Sequence, residues 1–354
     1  MPINVRHLRR QRSKQADRLL HTNLAPWITY FHRVTQYPTN AQSPFCSWAN
    51  AMQANCCIDW SILRQLTEAV CQTHPGAIAH LYGSHAMTLQ LPCSDYDVAV
   101  QFKGCSMSQD ELIEALRSFS PAAAGWDAIA GSHPKVVGTM GSSPGVWVEL
   151  SIATQTLRNT QAAHVLVSQI FCAGLPFLRP IVLVLKQFLK ACHLDAKHGG
   201  LRSYGLALMV AAVLYEAPPA ASAEMMLMRF VQHFTQPLGL TRRHAVVVHE
   251  TIDGARSLRL TQTDRQSVDH AELFVQDPAI VTDANVRNVE RACYKWQSVQ
   301  TAFCYLRRLL FVHTTVRKDL RGAYDIQRMM LEAVCRYHVS RTRSKPSCHI
   351  NAEL

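Results

Sequence analysis

No CxxC pair occurs among the twelve cysteines of this 354-residue chain, which removes the usual spacing of a structural zinc site or a redox-active dithiol. Several of those cysteines lie in apolar stretches, where a free thiol behaves as a small hydrophobe, so the chain reads as one of a reducing compartment. Also lacking is an uninterrupted apolar stretch of about 20 residues. The longest runs, around 181–185 and 205–215, are too short or are broken by polar side chains. No membrane span is expected, and no secretory signal either, because the first residues hold no apolar core segment. Internal repeats and low-complexity tracts are missing as well. Acidic residues are scarce: 25 Asp and Glu face 36 Lys and Arg, a net charge of +11 with His neutral. Such an excess suits a surface that neutralises phosphates and releases counterions, which makes nucleic acid the leading partner class.

What is present falls into two parts. With 48% hydrophobic residues, a chain of this length can bury the cores of two ordinary domains. Its first residues form a basic arm, with Arg6, Arg9, Arg10, Arg12 and Lys14 before any acid, a composition shared by nuclear localisation tracts, mitochondrial presequences and RNA-binding arms. A short amphipathic segment over 20–36 is broken at Pro26. Over 58–74, Ile58, Ile62, Leu66 and Val70 recur at helical spacing, and His74-Pro75-Gly76 ends that helix. A strand is predicted over 78–82, running into Gly83-Ser84, and a second over 95–100. A helix follows over 108–119, opening on the capping box Ser108-x-x-Glu111, and a third strand spans 146–152. From about 161 the period turns helical, over 162–173, 176–194, 201–216, 222–234, 288–312 and 323–338, with short strands or loops within 235–287. The basic residues after 340 read as a disordered tail.

The chemistry-bearing pattern is Gly83-Ser84, ten residues, then Asp95-x-Asp97, with Glu149 on a later strand. Alternate positions of a strand share one face, so two acids so spaced are presented together from a rigid element. Paired divalent ions about 4 Å apart, as nucleotidyl transfer requires, need carboxylates held this way. A Gly-Ser turn lets the backbone approach phosphate oxygens, while the Ser hydroxyl and N–H donate to them. An isolated DxD is more often a solvated strand face. The Gly-Ser turn at this distance and the third acid reverse that balance.

The stretch LYGSHAMTLQLPCSDYDVAV over 81–100 resembles the catalytic signature of the DNA polymerase β nucleotidyltransferase superfamily, and its Leu91-Pro92-x-Ser94-Asp95 is similar to that of noncanonical poly(A) polymerases. Residues 178–210 resemble central-domain helices of the polymerases that serve nuclear RNA surveillance in the TRAMP complex, and Val275-Gln276-Asp277-Pro278 with 288–303 resembles their nucleotide-recognition motif and following helix. The likeness covers roughly 20–312. It implies metal roles for Asp95, Asp97 and Glu149, and a phosphate role for Gly83 and Ser84. It also implies triphosphate binding by Lys186 and Lys190, which the i, i+4 spacing puts on one helix face. Ser203 would touch phosphate and the Tyr204 ring would stack on the incoming base. Asn159 would contact the ribose, and Asn285 or Asn288 would read the base edge. This sequence departs from the pattern in carrying Glu149 for a usual Asp, Arg202 for a usual Ser, and a loop about four residues longer before Asn288.

The expected fold is α+β: a polymerase β-like domain of mixed sheet with helices over 45–160, and a mainly helical central domain over 161–340 that takes in 20–44, with 1–19 and 341–354 as basic ends. RNA 3′ ends and ATP are the expected substrates, bound in the cleft between the domains, with Mg²⁺ as cofactor and Mn²⁺ able to replace it. No standard RNA-recognition module is visible, so an RNA helicase or RNA-binding subunit is expected as partner. The expected setting is the nucleus, with the mitochondrion as the alternative. A terminal uridylyltransferase and a non-catalytic RNA-binding subunit on the same fold are the competing functional readings.

Overall fold

The computed structural model describes residues 47–50, 60–92, 94–102, 108–119, 125–129, 135–140, 146–152, 166–172, 175, 177–216, 222–237, 242–250, 256–264, 272–278 and 288–311. The basic arm, the segment 20–36, the helix expected over 323–338 and the C-terminal tail lie outside them. So do Asn159 and Asn285.

The chain divides into two compact units, and the division falls between Arg179 and Pro180. Helical periodicity begins near 161 in the sequence, and residues up to Arg179 group with the first unit, where the Arg179 Nε donates to the Thr88 carbonyl at 3.3 Å.

In the first unit, helix α1 (Trp60–Thr73) precedes strands β1 (Ile78–Tyr82) and β2 (Tyr96–Gln101), helix α2 (Gln109–Phe119), and strands β3 (Asp127–Ile129), β4 (Lys135–Met140) and β5 (Val146–Ile152). The capping box closes α2 as its sequence predicts: the Ser108 N–H donates to Glu111 Oε2 at 2.7 Å, and the Glu111 N–H reaches back to Ser108 Oγ at 3.3 Å. Those bonds hold the Glu111 carboxyl below its usual range. The five strands form one sheet in the order β1-β2-β5-β4-β3, parallel at β2/β5 and antiparallel elsewhere. Alternation puts Val98, Val100, Val136, Val148 and Leu150 on the face that packs with Ile62, Leu66 and Val70 of α1 and Leu112 and Leu116 of α2. That burial, roughly 1.5–3 kcal/mol for each such side chain, stabilises the unit. The opposite face is left for polar work.

In the second unit, α3 (Leu178–Ala191), α4 (Ser203–Tyr215), α5 (Ala223–Phe234) and α6 (Trp296–Phe311) accompany a three-stranded sheet, ordered β7-β6-β8, of β6 (Arg242–Glu250), β7 (Arg256–Asp264) and β8 (Leu273–Val275). Gly205 to Val213 of α4 are all buried, as a helix apolar on every side must be. Two expectations change here. The region read as short strands or loops holds a hairpin of two nine-residue strands. The last helix starts at Trp296 rather than near 288, because 288–295 is spent on other bonds: Asn288 bridges Gln276, the Cys293 N–H donates to the Glu290 carbonyl, and the Lys295 N–H donates to that of Gly199. Within the span read as a helix over 162–173, the described residues form a π-helical segment, Leu166–Phe171. No helix among the described residues is long and apolar enough to cross a membrane.

Candidate active site

β1 ends at Tyr82, and the chain turns at Gly83 with φ of +66°. A side chain there would be strained, and its Cβ would run into the Asp97 carboxylate, 2.7 Å from Cγ. Glycine is therefore demanded twice, by the left-handed backbone and by the acid packed against it. The sequence pattern assigned this glycine to phosphate approach; the structure adds that Asp97 fills the space a Cβ would take. Ser84 is buried and its carbonyl accepts the Leu89 N–H at 2.9 Å. Ahead of β2, the Ser94 Oγ accepts the Leu91 N–H at 2.8 Å while the Ser94 N–H returns to the Leu91 carbonyl at 2.8 Å. This closed turn of Leu91-Pro92-x-Ser94 delivers Asp95 to the start of β2, two residues before Asp97.

The sheet register sets what Asp97 faces. Tyr82, Asp97, Glu149, Val137 and Asp127 occupy one row across β1, β2, β5, β4 and β3. Asp97 and Glu149 are thus direct partners on parallel strands, their backbones about 4.8 Å apart across the sheet. Asp127 shares the row but lies two strands beyond Glu149, roughly 10 Å away. The next row holds His80, Ala99, Ser151 and Lys135. Two bonds tie the rows together: the Tyr82 hydroxyl and Ser151 Oγ meet at 2.8 Å, and Lys135 Nζ donates to Glu149 Oε2 at 2.9 Å.

The electrostatics follow from this crowding. Burial, reinforced by the Asp97 charge, pushes the Tyr82 phenol up to about 12, so it stays protonated. Burial works to lower the Lys135 ammonium, but Glu149, with Tyr82 and Asp97 beside it, together outweigh burial and the net shift is upward. Lys135 is the residue that sequence reading missed. Its signal was available: two β-branched runs flank Gly141-Ser-Ser-Pro-Gly145, a turn composition that predicts a hairpin and places Lys135 beside Glu149.

In the second unit, Lys186 and Lys190 are both half-buried on α3. Ser203 and Tyr204 open α4, behind an extended Arg202 that caps the helix without a side-chain bond. The support beneath them is Glu290, buried to 1% exposure, whose Oε1 and Oε2 accept the Arg202 N–H at 3.2 and 3.4 Å. Gly205 leaves room for this carboxyl, since a Cβ there would collide with it. Burial pushes Glu290 up to about 8, with the Arg202 N–H and guanidinium pulling the other way. The Asn288 amide is committed to the backbone: Oδ1 accepts from Val275 and Glu290, each at 3.0 Å, and Nδ2 donates to the Leu273 carbonyl at 3.0 Å. Its structural work is to fasten the 288–290 turn to β8.

Asp95, Asp97 and Glu149 supply hard carboxylate oxygens, which suit Mg²⁺ or Mn²⁺. Among the described residues no three His, Cys, Asp or Glu side chains converge as a metal cage, and Glu149 is turned to Lys135 instead.

Comparison with known proteins places these features in context. No family model matches the chain. The chain is 23% identical over 260 residues to "Poly(A) RNA polymerase protein 1" of Eremothecium gossypii, covering 70% of this chain and 40% of that protein. It is 27% identical over 164 residues to "Poly(A) RNA polymerase protein 2" of Saccharomyces cerevisiae, covering 45% and 27%. The chain thus spans less than half the length of these curated relatives. Among solved structures, the polymerase core of TRAMP, an RNA surveillance complex, matches with a TM-score of 0.61 at 21% identity, over 81% of this chain and 93% of that one. The Cid1 poly(U) polymerase matches with a TM-score of 0.58 at 18% identity, over 78% and 97%. The chain has the fold these enzymes share.

Proposed function

We propose that this chain, a nucleotidyltransferase of the polymerase β-like fold, adds AMP from ATP to RNA 3′ ends without a template. The observation that carries the reading is the left-handed Gly83 turn packed on Asp97, whose strand partner is Glu149. A turn that only glycine makes without strain, packed on an acid whose strand neighbour is a second acid, is hard to explain as a solvated strand face. The curated relatives' names favour adenylate over uridylate.

In this reading Asp95, Asp97 and Glu149 would hold the divalent ion, Mg²⁺ with Mn²⁺ able to replace it. When bound, the ion supplies charge neutralisation for the leaving pyrophosphate and the attacking oxygen. Gly83 and Ser84 present backbone N–H groups and a hydroxyl to phosphate oxygens, and Glu149 orients the RNA 3′-hydroxyl and accepts its proton. Lys186 and Lys190 pair with the triphosphate as two cations one helical turn apart. Ser203 donates to phosphate, Tyr204 stacks on the base, Asn159 contacts the ribose, and Asn285 or Asn288 reads the base edge. An RNA helicase or RNA-binding subunit supplies RNA targeting, and the work is nuclear RNA processing or decay.

The test is incubation of the purified protein with a labelled RNA oligonucleotide and each NTP separately, with Mg²⁺ or Mn²⁺. ATP should give extension, which Asp95→Ala and Asp97→Ala should abolish without lowering the melting temperature. Equal or greater extension with UTP would move the protein to the terminal uridylyltransferases; extension by either Asp variant at wild-type rate would end the assignment.

A further inference from the structure

The acidic row contains a cation of its own. Lys135 starts β4 one row from Glu149, and its Nζ lies 2.9 Å from Glu149 Oε2. The side chains are 35% and 14% exposed, so solvent screens the pair less than it would a surface ion pair. We infer that Lys135 is a positioning residue that holds Glu149 through Oε2 and competes with a divalent ion for that carboxylate, thereby setting how tightly the free protein takes metal. The inference rests on the reading of Asp95, Asp97 and Glu149 as the metal-holding acids.

Two features support it. The glutamate and the lysine fit each other: an aspartate at 149 would withdraw the carboxylate by one carbon–carbon bond, about 1.5 Å, and break the contact. The extra methylene of Glu149 is thus spent on reaching toward β4. Next, Asp97 and Glu149 are adjacent in the row, so their charges repel, and an ammonium beside them offsets part of the negative charge that a divalent ion would otherwise meet.

Mn²⁺ titration of the nucleotide-free, RNA-free protein, followed by the electron paramagnetic resonance of unbound Mn²⁺, tests this without an activity readout. Lys135→Met should lower the dissociation constant by at least about threefold, as removal of a nearby like charge predicts. Lys135→Arg, which keeps the charge, should bind as the wild type does. Glu149→Gln should abolish the gain when combined with Lys135→Met. A lysine that merely supported the fold would give weaker binding on removal, never tighter, so unchanged or weaker Mn²⁺ binding by a cooperatively melting Lys135→Met overturns the inference. Lys135→Gln serves the same purpose if the methionine variant does not fold. Absence of saturable Mn²⁺ binding in the wild type and Asp97→Ala alike would remove the metal-holding acids, and this inference with them. Tight wild-type binding that Lys135→Met leaves unchanged would remove Lys135 alone.

Discussion

Gly83→Ala concentrates the reasoning about the catalytic turn. At φ of +66° an alanine pays about 1–2 kcal/mol of left-handed strain, offset by up to about 1 kcal/mol from the stiffer unfolded chain. Its Cβ would also stand 2.7 Å from Asp97 Cγ and 3.0 Å from Asp97 Cβ. Asp97 lies between Tyr82 and Glu149 in its row, so relief requires an off-rotamer side chain, at about 0.5–1.5 kcal/mol, or a shift of β2 against its neighbours. The total is roughly 0.5–3.5 kcal/mol, which lowers the melting temperature of a cooperative unit of about 150–250 residues by about 1–14 °C. A misplacement of about 1 Å at a reacting centre costs on the order of 10²-fold in rate, so single-turnover RNA extension should fall at least that far. A double-mutant cycle in denaturant separates the parts: in an Asp97→Ala background the carboxylate is gone, and Gly83→Ala should cost little beyond the backbone strain. Equal destabilisation in both backgrounds, or near-normal extension by Gly83→Ala, would refute the account.

Glu149→Gln should lower kcat by about 10²-fold with little change in nucleotide KM, because the group acts in the transition state; steady-state kinetics at saturating ATP checks this, and Glu149→Asp should retain measurable activity. Lys186→Ala and Lys190→Ala should raise the apparent KM for ATP while leaving RNA affinity by filter binding unchanged. Glu290 makes a pH prediction. Its carboxyl rises from 4.5 to about 8 on folding, so the native state holds the extra proton: the stability is full below the unfolded value and is lost as pH climbs toward about 8. The span of 3.5 units sets a ceiling of about 5 kcal/mol on that loss. Urea midpoints should fall across that window in the wild type and stay level in Glu290→Gln.

The fold was legible where local signals were strong. Ser108 and Glu111 announce α2 because the capping box is a contact three residues long, and the Gly-Ser turn and Asp-x-Asp strand follow from period-two alternation. β3 and β4 escaped because three residues are too few to show a period, and because Gly138 interrupts β4 to leave room for the Trp126 ring. The β6/β7 hairpin was legible only in part: Ala245 to Val248 is a continuous apolar run between polar ends, and Thr261-Gln262-Thr263 carries no apolar alternation, so neither strand shows period two over its nine residues. At the site, Asp97 and Glu149 could be paired in kind but not in register, since parallel neighbours 52 residues apart, as 149 minus 97, leave no local trace. Glu290 was invisible for another reason: its burial depends on Gly205, and only tertiary packing brings the two together.

The parallel β2/β5 ladder also decides when the acidic row can come into being. β1 and β2 are neighbours in both chain and space, and so are the β3-β4-β5 meander's strands, but the two blocks join through a single long-range pairing. Closing a loop of that length before any contact rewards it is entropically slow. A chain emerging from synthesis therefore carries Asp97 without its strand partner Glu149 until the meander docks, and the acidic row exists only in the finished sheet. Refolding watched through Mn²⁺ uptake would time that docking, separately from the burial of tryptophan in either half.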